Sequence, residues 1–82
     1  MQYQILAYQN ENGQTSAILE FRSSKGADLA LIALKNYVEG REEVESEVNA
    51  WYVVAHYLTF NVDSQAVADD FLRFLEKAKR MK

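Results

Sequence analysis

The chain has no cysteine, no proline, one histidine and one tryptophan among its 82 residues. Without cysteine there is no disulfide to staple the fold and no thiolate nucleophile, and one histidine cannot build a zinc site. Without proline, and with only three glycines, the usual markers of a domain boundary are missing. There is no internal repeat and no low-complexity tract. A chain this short holds one domain, residues 1–82, and buries only about 60–65% of its unfolded surface, so its core is thin.

A large excess of either charge is also missing. The net charge is −3, a balance that favours solubility and weighs against a nucleic-acid binder, which usually carries a basic excess. The start, Met1-Gln2-Tyr3-Gln4-Ile5, has neither the basic residues nor the apolar run of a signal peptide. The longest near-apolar run, Ala50 to Leu58, falls short of the ~20 residues a membrane span requires. The expectation is a soluble, cytoplasmic protein without a membrane association.

What is present is apolar: 49% of residues are hydrophobic and 26% charged, the composition of a folded domain. Residues 2 to 22 read as a β-hairpin around Asn10-Glu11-Asn12-Gly13. A two-residue Asn12-Gly13 turn would pair Ile5 with Glu20 and Tyr3 with Arg22, mixing the faces. A three-residue loop, Glu11-Asn12-Gly13, pairs Tyr3 with Phe21, Ile5 with Leu19 and Ala7 with Ala17. Because a one-residue slip flips every side chain, the cleaner apolar face selects the longer loop.

Residues 25 to 39 read as a helix, capped by Ser24 and ended by a left-handed Gly40. From Ala27 to Leu34 every residue but Asp28 is apolar, wider than the single stripe of a surface helix. After an acidic segment, Val48 to Val62 reads as one strand, rich in valine and aromatics. A helix from Arg41 to Leu58 is the competing reading, because Val44, Val48, Trp51, Tyr52 and Ala55 also fit helical spacing. The last helix carries Val67, Phe71, Phe74, Leu75 and Ala78 on one stripe, with Asp63 as its expected N-cap and Val62 and Val67 as a staple across it. The predicted fold is therefore α+β: β-β-α-β-α, with a three-stranded antiparallel sheet in the order 2-1-3 and two helices on one face.

The candidate chemistry is sparse. His56 has no cysteine to activate, and no local signature places a serine beside it, so a structural histidine is the better reading. Five glutamates between Glu39 and Glu47, against Arg41 alone, lack calcium-loop spacing and read as a solvated face whose field can steer a basic partner. The basic Lys77-Ala78-Lys79-Arg80-Met81-Lys82 end complements the helix dipole. Ser24-Lys25-Gly26 is too glycine-poor for a phosphate cradle. No cofactor and no metal is implied.

Strand parity sends Tyr52, His56, Leu58 and Phe60 to one face and Trp51, Val53 and Tyr57 to the other. A strand apolar on both sides normally has both sides covered. The leading expectation is thus a small non-enzymatic protein-interaction or inhibitor module, dimeric or bound to a basic protein. Trp51, Val53 and Tyr57, or the first helix, would supply apolar contact, with Glu42, Glu43, Glu45 and Glu47 selecting the partner. Two alternatives stand beside it: a nucleic-acid-associated accessory protein using the Lys77–Lys82 tail, and a small-molecule enzyme with a site at a dimer interface that includes His56.

Overall fold

The computed structural model describes residues 2–80, and side chains as far as residue 78. The elements run β1 (Tyr3–Glu11), β2 (Gln14–Phe21), α1 (Ser24–Val38), α2 (Glu42–Glu45), β3 (Val48–Val54), β4 (Tyr57–Val62) and α3 (Gln65–Arg80). The fold is α+β, as the hydrophobic periods imply, but the sheet has four antiparallel strands in the order β1-β2-β4-β3, and a one-turn helix adds a third to the two long ones.

The three-stranded 2-1-3 arrangement is corrected at Ala55. The segment read as one strand folds back at Ala55-His56, where Ala55 takes φ +55° and Val54 faces Tyr57. The reversal has none of the glycine, asparagine or proline signals that mark a tight turn. Its second arm, β4, then takes the place beside β2 that the simpler topology had left as an edge. The chain leaves β2 through α1 and α2 and returns in β3, which runs parallel to β2 with β4 antiparallel between them. This is a split β-α-β arrangement.

The first hairpin also differs from expectation. Asn12 and Gly13 both have positive φ, +55° and +79°, the signature of a two-residue type I′ turn, and Glu11 faces Gln14 across it. The pairs Tyr3–Phe21 and Ile5–Leu19 nevertheless form as expected, because the register shifts between Ile5 and Ala7. Leu6 is the extra residue of a β-bulge, so Ala17 faces Tyr8 rather than Ala7.

One face of the sheet carries Ala17, Leu19, Phe21, Leu58, Phe60 and Val62, all buried under Ala27, Ala30, Leu34 and Val38 of α1 and Val67, Ala68, Phe71 and Leu75 of α3. Ring contacts tie the layers: Phe60 meets Phe71 edge-on at 5.4 Å, and Tyr37 stacks on Phe74 at 4.4 Å. The caps sit one residue from where they were expected. Ser23, not Ser24, accepts from the Gly26 amide at 3.1 Å and opens α1. Ser64, not Asp63, accepts from the Ala66 and Val67 amides and opens α3. Gly40 ends α1 at φ +81°, where a left-handed residue is needed.

Candidate interaction surface

The reversal at Ala55-His56 resets strand parity, and with it the placement of the expected contact residues. Trp51 faces Phe60 and Val53 faces Leu58, so both side chains point to the helices. The Trp51 indole is half-buried, stacks on Phe71 at 6.1 Å and carries the Lys35 ammonium at 5.8 Å. Tyr57, across from Val54 and Glu20, lies on the opposite, helix-free face. The structure therefore separates Trp51 and Val53 from Tyr57, which were expected on one surface.

The helix-free face holds a row Ala7–Ile18–Thr59–Tyr52 across all four strands and, beside it, Glu20, Tyr57 and Val54. Its exposed large side chains include Tyr52, 49% exposed, and Val54, 62% exposed, both on β3, while Leu6 at the bulge of β1 is 51% exposed. Sequence reasoning placed Tyr52 on the covered face, and only the unseen turn reverses that. At the other end of the face a chain of side-chain hydrogen bonds crosses three strands. The Asn49 amide donates to Asp63 at 2.6 Å and to Asn61 at 2.8 Å, and Asn61 donates to Ser16 at 2.6 Å. Ser16 and Asn61 border a shallow polar hollow of about 220 Å³ with Gln9, Glu11, Asn12 and Gln14.

The backbone of β3 adds what its side chains do not. In a two-residue hairpin the closing pair exchanges both hydrogen bonds, and bonded and non-bonded pairs then alternate. Val54, Tyr52 and Ala50 therefore bond to β4, while the N–H and C=O groups of Trp51 and Val53 point away from the sheet. No backbone or side-chain group of the described residues meets them. β3 is an edge strand, and Val48–Val54 contains no charged residue. Edge strands are normally protected by charge, proline, a bulge or a covering element. The register shift between Val48 and Ala50 leaves Ala50 to Val54 regular.

The opposite edge is protected. β1 is bulged at Leu6, and three of its side chains reach over to α3. Tyr3 donates to Glu76, Tyr8 to Asp69, and Asn10 to Gln65 at 2.8 Å. Burial, reinforced by the Glu76 carboxylate, pushes the Tyr3 hydroxyl up to about 12. Burial and the bond to Asp69 push Tyr8 up to about 12 as well. Tyr37 on α1 donates to Asp70 at 2.7 Å, and that bond raises its pKa.

The two ends of β3 differ in charge. Glu42, Glu43 and Glu45 form the turn of α2 just before it, and Glu47 is bonded to the end of β4 through the Asp63 amide at 2.8 Å. At the far end the His56 carbonyl accepts from the Phe21 amide at 2.8 Å, which brings Arg22 and the start of α1, with Lys25, beside the turn. Both cations are exposed, and neither is ion-paired among the described residues. The His56 ring lies 3.1 Å from the Glu20 carboxylate and 4.2 Å from the Tyr57 ring.

Among the described residues no group of three or more histidine, aspartate or glutamate side chains could hold a metal ion. No helix there is long and apolar enough to cross a membrane. Met81, Lys82 and the side chains of Lys79 and Arg80, which make up most of the basic tail, lie outside the described residues. Comparison of the chain with protein-family models, curated proteins and solved structures finds no match.

Proposed function

We propose that this chain is a non-enzymatic protein-interaction module whose docking element is the edge of β3, which takes up an extended strand from a protein partner. The observation that carries this reading is the coincidence of two features on one short strand. Trp51 and Val53 present unmet backbone groups, and Tyr52 and Val54 between and beside them are exposed large side chains of the sheet's open face. Strand addition draws its affinity from main-chain bonds and its selectivity from alternate side-chain contacts. β3 offers both, with the acidic turn of α2 at one end to favour a basic flank. An inhibitory role follows where the strand taken up belongs to a partner's working surface.

A selection of displayed random peptides against the immobilised chain tests the reading. It is expected to enrich extended sequences rich in β-branched residues, whose binding slows hydrogen exchange at the Trp51 and Val53 amides. Binders that leave both amides unprotected and map instead to Leu29 and Ile32 on α1, which are 50% and 53% exposed, would refute it.

A further inference from the structure

We infer that the strand β3 receives is β3 of a second copy of this chain, antiparallel, so that the sheet continues across a two-fold axis. The inference rests on the edge-strand reading above and names its occupant.

Three observations converge on self-pairing. The outward-facing residues Trp51 and Val53 flank Tyr52 symmetrically. An axis at Tyr52 therefore sets Trp51 of each copy against Val53 of the other, and two such pairs exchange about four backbone hydrogen bonds. The same register places Tyr52 directly against its own counterpart, and Val54 against Ala50, on the helix-free face. That brings two exposed side chains of β3 against the second copy. Cross-strand aromatic and β-branched contacts of this kind add to the backbone bonds.

Charge then selects the antiparallel copy. No residue of β3 is itself charged, although Lys35 of α1 lies over Trp51, and the strand is acidic at one end, with Glu43 and Glu45, while Arg22 and Lys25 stand near the other beside the Glu20–His56 pair. An antiparallel copy brings the acidic end of each chain to the basic end of the other, twice over. A parallel copy would set like ends together. Self-complementarity of this sort is what an isologous two-fold contact demands. The β1 edge offers no equivalent, since its bulge falls mid-strand at Leu6 and Tyr3, Tyr8 and Asn10 tie it to α3.

Sedimentation velocity of the full chain, from micromolar to millimolar concentration, tests the inference. The chain is expected to dimerise, more weakly as salt is added, with the Trp51 and Val53 amides protected in proportion to the dimer. Tyr52→Glu sets two like charges against each other on the axis and should raise the dimer Kd on the order of 100-fold, with an unchanged circular dichroism spectrum showing that the fold survives. A second pair of variants uses exposed positions only. Glu43→Lys/Glu45→Lys and Arg22→Glu/Lys25→Glu should each dimerise poorly alone and associate when mixed. A chain that stays monomeric at millimolar concentration, or a dimer indifferent to Tyr52→Glu, overturns self-pairing. The edge-strand reading fails separately, when displayed peptides also leave the Trp51 and Val53 amides unprotected.

Discussion

Tyr3 and Tyr8 stand five residues apart on one strand and yet point to the same face, each donating its hydroxyl to a carboxylate of α3. An odd separation in a regular strand sends two side chains to opposite faces. The bulge at Leu6 absorbs one residue, so Tyr3 reaches Glu76 and Tyr8 reaches Asp69 along one side of the helix. The edge strand and the last helix are thereby laced together by phenols.

The lacing makes stability sensitive to alkali. Both hydroxyls titrate near pH 12 in the folded chain, against 10.0 for an ordinary tyrosine. A raised pKa means the contribution is complete below pH 10 and is lost as pH rises towards 12. Urea unfolding followed across that range should show falling stability, with tyrosinate absorbance rising late. Tyr8→Phe should cost about 1 kcal/mol at neutral pH, and the Tyr3→Phe/Tyr8→Phe double variant should flatten the alkaline fall.

Ala55 holds a left-handed conformation that an L side chain disfavours by about 1–2 kcal/mol. Glycine there removes the strain and returns part of the gain as unfolded-state entropy. Ala55→Gly is expected to raise stability by about 0.5–1 kcal/mol in thermal or urea unfolding. Ala55→Val should lower it.

The reset parity separates neighbours in β3. Trp51 stacks on Phe71, so Trp51→Ala should cost about 2 kcal/mol or more through lost burial. Tyr52, on the open face, should tolerate Tyr52→Ala within about 0.5 kcal/mol, when unfolding is measured at concentrations too low for association. The reverse order would place the turn elsewhere.

Thr15 is fully buried, and its hydroxyl has no hydrogen-bond partner among the described residues. Valine has nearly the same shape without the desolvated oxygen. Thr15→Val is expected to stabilise the chain by about 1 kcal/mol in urea unfolding. Thr15→Ala, which leaves a void against Val62, should destabilise it.

The long helices and the core were legible because their evidence is local and periodic. Val67, Phe71 and Leu75 recur at helical spacing and are all buried, and Gly40 does end α1 in the left-handed conformation. Glu42, Glu43 and Glu45 read as exposed acids and are so, and the helical turn that they form lies within the competing helix from Arg41, which stops at Glu45 instead of running to Leu58. The surface on β3 was misread for one reason. Tyr52 and Trp51 exchanged faces when an alanine, with no glycine or asparagine beside it, turned the chain.

The amino-acid order alone determined an α+β chain, the opening hairpin, the apolar side of each long helix and the acid-rich stretch, since each follows from neighbours within a few positions. Tertiary structure decided the bulge at Leu6, the reversal at Ala55, the place of β4 beside β2 and hence which strand lies at the edge. Those choices depend on burying Leu58 and Phe60 beneath two helices. That gain is shared among residues far apart in the chain, and no local pattern records it.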